Sequence, residues 1–437
     1  MIISFRRKIM KKKTRKNIAG LVGLVAVLAI GVFLGGQYMK KNDSNGVVLA
    51  EAKYPKQSDS VTKPVKSYID FVTKYNEAVL TGKKENALYS PMNVYLALSM
   101  LAESASEQSQ AELLELLAAE SIDEVRDNAK QLWQSNYQDG EEVVSILANS
   151  IWMQEGLPYK EETIDILKND YYASSFMGQL GDEKTTQHLR DWLNKNTKDL
   201  LKDNVNNFNL EDDTLVALFS SIYYSSSWME GFAKELNERH EFYAPDGVLD
   251  VEYMRDFSTD KITLGQDFKA YSRELKKGHK MTFVLPDKEK SVDELLVSDD
   301  FNRLLSNQEL DQKSYRIDLS IPKFDISNEL SLKESLEKLN IQKIFDPIQA
   351  RLAGLFDLDN LNENAYVSKI SHVARNKINE DGFEGAGYTS IGITATSMPE
   401  EEYELLDFKL DRPFIYFVTN ELNEVLFVGV VNNPNQE

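Results

Sequence analysis

The chain is expected to fold as an α+β protein, with helices concentrated in its first third and strands dominating the rest. Apolar residues recur at helical spacing in VKSYIDFVTKYNEAVL (Tyr68, Phe71, Val72, Tyr75 and Val79), and NVYLALSMLAESASEQSQAELLELLAAE supplies two further amphipathic runs. Later, β-branched and aromatic residues gather into strand-like runs, DTLVALFSSIYYSSSW, MTFVLPD and YRIDLSIPKFDI. The chain closes with PFIYFVTN and VLFVGVVNNP, two strands separated by the polar turn ELNE. Helices first and mostly strands later is not a regular βαβ alternation, and no internal repeat is evident.

Composition bounds the function. The 437 residues are 42% hydrophobic and 27% charged, enough to bury a large core. The net charge is -20, yet the first 41 residues hold ten Lys and Arg and no acid; in the remainder 40 basic residues face 70 acidic ones, a charge of -30. That sign argues against a nucleic-acid partner. Cysteine is absent, which excludes disulfides, thiolate nucleophiles and Cys-ligated zinc.

Four segments follow from the N-terminus onward. Residues 1–17 form a basic block, and 18–39 contain the uncharged run IAGLVGLVAVLAIGVFLGG, long enough to approach the roughly 30 Å hydrocarbon core. Basic residues before it predict a cytoplasmic N-terminus and a single-pass anchor in the cell membrane, with everything downstream outside the cell. A cleaved signal peptide is the alternative, although LGGQYMKK offers no small-x-small cleavage site. Residues 40–64, rich in Ser, Lys, Asp and Pro, are read as a tether, and 65–437 as one folded unit.

A search for catalytic constellations finds no G-x-S-x-G elbow, no H-E-x-x-H and no G-x-x-x-x-G-K-[ST], so no enzyme is expected. The four histidines, His188, His240, His279 and His372, lack metal-ligand spacing, and neither metal nor cofactor is expected. One segment stands out. INEDGFEGAGYTSIGITATSMPEEEYELLDFKLDRPF carries Gly382, Gly385 and Gly387, then small and hydroxyl residues, then Pro399 and an acidic run, without a cation between Lys377 and Lys409. Its glycine spacing is the reverse of the dinucleotide fingerprint and no amphipathic helix follows, which rejects a phosphate loop. Read as a strand, one face would carry Phe383, Gly385, Gly387, Thr389, Ile391 and Ile393, free of charge. The other would carry Glu384, Ala386, Tyr388, Ser390, Gly392 and Thr394.

Across 65–437 the chain resembles the serpin family, through pieces that arrive in order. LYSPMNVYLALSML resembles its early Ser-Pro helix start, ALFSSIYYSSSWMEGF its central strand with a Trp, HEFYAPDGVLDVEYM its polar-Gly hairpin and Met, and KMTFVLPD its apolar strand ending in Leu-Pro. LSIPKFDISNELSLKESLEKLNIQKIF, VSKISHVARNKINEDG and DRPFIYFV with LFVGVVNNP complete the set. The resemblance implies a serpin fold, helices packed around a large main sheet and smaller sheets, and places the unusual segment at the exposed reactive-centre loop. A bacterial, membrane-anchored, monomeric inhibitor is the expected form.

The family's suicide mechanism is implied too. A target protease attacks the loop, and the cleaved loop enters the main sheet as an extra strand, dragging the acylated protease with it. By resemblance the hinge comprises Glu380, Gly382, Phe383, Glu384, Gly385, Ala386 and Gly387, and the sheet-opening region Ser90, Ser220, Trp228 and His372. Counting from the hinge gives Thr396-Ser397 as the reactive bond, with Ala395-Thr396 second; Pro399 disfavours cleavage after Met398. Small residues and no Arg or Lys imply an elastase-like or subtilisin-like target and not a trypsin-like one. The acidic run Glu400, Glu401, Glu402 and Glu404 reads first as a solvated tail of the loop, with steering of a basic protease as the alternative. At Phe383 inhibitory members resemble one another in carrying a small hydroxyl residue; a ring entering the sheet is expected to overpack it by about 1–3 kcal/mol. A non-inhibitory binding or chaperone-like serpin is therefore the alternative.

Overall fold

The computed structural model describes residues 47–54, 61–200, 202, 210, 214–360, 365–383 and 403–436. In chain order the strands are β1 (Val47–Ala50), β2 (Ala87–Tyr89), β3 (Gln138–Asp139), β4 (Val143–Gln154), β5 (Ala173–Gly178), β6 (Val216–Ser227), β7 (Glu238–Ala244), β8 (Gly247–Leu264) and β9 (Phe268–Glu274). They continue as β10 (Lys280–Pro286), β11 (Asp311–Pro322), β12 (Phe324–Ser331), β13 (Lys369–Asn379), β14 (Gly382–Phe383), β15 (Leu405–Lys409), β16 (Phe414–Thr419) and β17 (Val425–Val431). The helices are α1 (Lys66–Leu80), α2 (Pro91–Ser104), α3 (Glu107–Leu116), α4 (Ile122–Asn136), α5 (Glu161–Asn169), α6 (Glu183–Asn196), α7 (Val292–Leu296), α8 (Asp299–Leu305) and α9 (Leu332–Lys338).

Two sheets organise these elements. The first is mixed, in the order β1-β5-β4-β6-β14-β13-β12, with β3 on β4. The second runs β15-β11-β8-β9-β10-β16-β17-β2, with β7 on β8. The predicted terminal hairpin is present, β16 pairing antiparallel with β17 from Phe414↔Val431 onward. One large apolar cluster fills the space between helices and sheets; a smaller one, with Trp152, Phe176, Leu189, Trp192 and Phe219, lies beneath α6.

Local chemistry explains the helix starts. Ser90 caps α2 by accepting from Asn93 N at 3.3 Å, and Pro91 occupies the first turn, where its missing N–H is harmless. Ser121 caps α4 and Asp182 caps α6, with acidic residues in each first turn favoured by the helix dipole.

Two expectations are corrected. Helices and strands interleave instead of separating: β4 and β5 fall between α4 and α6, and α7, α8 and α9 come late. β4 was not legible because seven consecutive residues, 147–153, are buried and the alternation is lost there. The stretch 40–64 is also not wholly a tether, since β1 pairs with β5 at the sheet edge and Ala52 N donates to Ser174 Oγ at 3.1 Å.

Candidate functional site

The site lies where β6 and β13 meet. These strands pair directly, in parallel, at Lys369↔Ala217 and Ile370↔Leu218, and among the described residues those are their ladder rungs. At the far end they are held apart by β14, whose Gly382 and Phe383 face Ser227 and Ser226 on one side and Asn379 and Ile378 on the other. The seam is thus closed at one end and wedged open at the other by the start of a strand.

The turn that makes the wedge is specified by three residues. Asn379 Oδ1 accepts from Asp381 N at 2.9 Å and from Gly382 N at 3.2 Å, an Asx-type reversal. Gly382 has φ +151°, and a Cβ there would sit 2.3 Å from Ser226 O, so only glycine fits between the strands. Phe383 follows and is 1% exposed. Its ring meets the edge of Tyr224 at 5.2 Å between centroids and tilts against Phe427 at 5.5 Å, while the Tyr224 hydroxyl hydrogen-bonds His279 Nδ1 at 2.9 Å. The expected overpacking by a ring at this position takes a different form: an aromatic pocket already holds it, with no cleavage required.

Glu380 anchors the turn from below. Its carboxylate accepts from Lys323 Nζ at 3.0 Å and from Asn237 Nδ2, and its carbonyl from Phe232 N at 3.0 Å. Burial works to raise its pKa, but these hydrogen bonds and the Lys323 charge outweigh that and hold it below the usual carboxylate value. Lys323 keeps a second partner, Glu252, at 2.7 Å. Glu380→Gln is therefore expected to cost about 1–3 kcal/mol rather than the larger penalty of a stranded buried charge. Denaturant unfolding measures it, and an unchanged midpoint would show that the pair does not hold the turn.

Of the residues predicted for sheet opening, Ser90 and His372 are brought together: Ser90 N donates to His372 Nε2 at 2.9 Å. His372 is 2% exposed, and desolvation pushes its pKa down to about 4, so it is a neutral acceptor near pH 7. Ser220 faces Asn149 across the β4–β6 ladder, and its buried Oγ has no hydrogen-bond partner among the described residues. A buried hydroxyl left without a partner costs free energy. Trp228 sits at the other end of the seam from Ser90 and His372. It lies at the hinge, its Nε1 donating to Asn379 O at 2.9 Å and its backbone N to Asp381 O at 3.2 Å.

Glu384, Gly385, Ala386, Gly387, Ala395, Thr396 and Ser397 lie outside the described residues, as do 1–17 and 18–39. Among the described residues no helix is long and apolar enough to cross a membrane, and no group of three His, Cys, Asp or Glu could hold a metal ion. Sequence reasoning missed Tyr224, Asn237, Lys323, Phe427 and His279. Their only signal is three-dimensional, because each reaches the hinge from a different strand or connection.

The family model described as Serpin (serine protease inhibitor) matches residues 67–434. An uncharacterized serpin-like protein of Methanosarcina mazei is 26% identical over 367 residues, covering 81% of this chain and 83% of its own length. Human neuroserpin is 25% identical over 379 residues, covering 83% and 90%. Among solved structures, the thermophilic serpin tengpin in its native state matches with a TM-score of 0.76 at 21% identity, covering 89% of this chain and 99% of its own. That likeness speaks for the fold.

Proposed function

Because the chain belongs to the serpin family, generally one of serine protease inhibitors, we propose that it inhibits a serine-type protease by suicide loop insertion. The observation that carries this reading is the β6–β13 seam, directly laddered at Lys369 and Ile370 and already entered at its other end by Gly382 and Phe383. A strand continuing beyond Phe383 would find donors and acceptors on both flanks, and filling that position releases the free energy that drives the mechanism. Thr396-Ser397 is the bond we propose to be attacked, with Ala395-Thr396 next, by an elastase-like or subtilisin-like enzyme with a shallow pocket. The apolar stretch within 18–39, preceded by the basic block, supports a membrane tether that presents the inhibitor outside the cell.

The test is to incubate the full chain with an elastase-like and a subtilisin-like protease and to run denaturing gels with mass spectrometry. A denaturant-stable covalent complex together with a released peptide beginning at Ser397 is the expected result. Clean cleavage without a complex would favour the second reading, a non-inhibitory binding module. Phe383 is the specific observation behind that alternative, since its buried ring must be accommodated in whatever strand follows it.

A further inference from the structure

The segment expected to be a simple tether is bound by the body of the protein. β1 adds to the free edge of β5, and Ala52 N donates to Ser174 Oγ at 3.1 Å. Tyr54 then lies over the end of α4, stacked on Tyr137 at 5.3 Å with 6° between ring planes and on Trp133 at 5.8 Å with 24°. Its hydroxyl donates to Asn196 Oδ1, the last residue of α6, at 3.3 Å. Partial burial, and then the Tyr137 phenol nearby, raises the phenol pKa to about 12, so this donor keeps its proton throughout the physiological range.

What α6 does makes this contact consequential. Leu189, Trp192 and Leu193 of α6 pack with Trp152 of β4, Phe176 of β5, and Ala217 and Phe219 of β6, while Val373 of β13 packs against the same cluster. Ala217 is also a ladder partner of Lys369. The apolar patch under α6 therefore clasps both sides of the seam at its closed end. A strand cannot run the length of the seam without parting Ala217 from Lys369 and disturbing that patch.

We propose that Val48–Tyr54 is a strap, bound as an extended peptide in a site formed by the β5 edge, Trp133, Tyr137 and Asn196, and that it resists opening of the seam by tying α6 and β5 to α4. Edge-strand addition supplies backbone pairing and the aromatic stack supplies register. Releasing Tyr54 frees the C-terminal end of α6 and lowers the barrier to strand entry. The effect on insertion rests on the inhibitory reading; the mechanical coupling of strap to α6 does not.

The experiment compares full-length wild type, Tyr54→Ala and Tyr54→Phe, with Tyr54 half-exposed and so replaceable without threatening the fold. Hydrogen exchange is read in α6 and β1, and heat-resistant, spontaneously inserted protein is followed over time. For Tyr54→Ala we expect roughly tenfold faster exchange across Leu189–Asn196 and faster insertion, from the loss of the bond to Asn196 together with the two aromatic stacks that anchor the strap to α4 and the residue after it. Tyr54→Phe, which loses only the bond to Asn196, should fall between, and a synthetic peptide VVLAEAKY added in trans should slow α6 exchange in Tyr54→Ala. If β1 exchanges freely in Tyr54→Ala while α6 keeps its wild-type protection, the strap is passive and the proposal is overturned. If α6 loosens but neither inserted protein nor a covalent protease complex appears in any variant, the strap stands and the inhibitory reading fails.

Discussion

Phe383→Ala is expected to release β14 from the sheet, with the amides of Gly382 and residue 383 exchanging ten- to a hundredfold faster. β14 is two residues long, so its ladder bonds contribute only about 0.5–1.5 kcal/mol each. Burying the phenylalanine ring contributes roughly 1.5–3 kcal/mol, comparable to or greater than any one of them. Truncating a fully enclosed phenylalanine ordinarily costs about 3–5 kcal/mol, because a cavity remains. Here the hinge has an alternative, since it can leave the sheet. Global stability should therefore fall by less than a core truncation while local protection collapses. The opposite pattern, a loss of 3–5 kcal/mol with hinge protection intact, would show that residue 383 is an ordinary core position. Phe383→Thr should also loosen the hinge, and comparing its yield of covalent protease complex with that of wild type separates two effects of the ring. A seated ring saves part of the entropy of starting insertion, but its removal relieves any crowding met by the rest of the strand.

The hinge illustrates which features were legible from sequence. The resemblance located the Glu380 to Phe383 stretch and grouped Ser220 with His372, with Ser90 close by, because short motifs in a fixed order carry the fold with them; the bond to His372 comes instead from Ser90 N, and the Ser220 hydroxyl has no partner among the described residues. It did not reveal that Phe383 is already buried, since that depends on Tyr224 and Phe427, which lie 159 residues before it and 44 after it. Lys323 carries no sequence signal between Pro322 and Phe324; only the fold sets it between Glu252 and Glu380. β1 escaped because four residues, VVLA, are too few to show alternation against a polar background. Tyr54 likewise gains its role from Trp133 and from Tyr137, the last turn and the C-cap of a helix whose own periodicity explains only why one face is buried. Periodicity reports which residues face inward but not which elements meet.

Stability should fall as pH drops from 6.5 to 4, and two buried histidines should account for much of the fall. Desolvation pushes the pKa of His372 down to about 4, and that of His279 down to about 4 with the nearby Lys277 charge adding to the effect. In the unfolded chain both take protons near 6.5. A group whose folded pKa is depressed contributes full stability above its unfolded pKa and loses it as pH falls towards the folded one, so each histidine loses about 3 kcal/mol across this window. The structural consequence differs between them. Protonating His372 Nε2 abolishes the bond from Ser90 N and sets a cation against the capped start of α2. Protonating His279 places a charge beside Tyr224, which supports Phe383. Glu424 works in the opposite direction, because burial raises its pKa, an effect that its hydrogen bonds only partly offset, so its protonation favours the folded state as pH falls. Total stability is therefore the wrong readout, and the difference between wild type and the double variant His279→Phe, His372→Gln is the right one. The double variant should be less stable at pH 7 and should show a slope between pH 6.5 and 4 reduced by roughly two protons' worth, about 2.7 kcal/mol per pH unit where both histidines differ fully in protonation. An unaltered slope would mean that neither histidine stays neutral in the folded protein across this window. Since one histidine lies on the seam and the other beneath the hinge, acid loosens the strand position from both ends, and hinge exchange should accelerate over the same pH range in wild type but much less in the double variant.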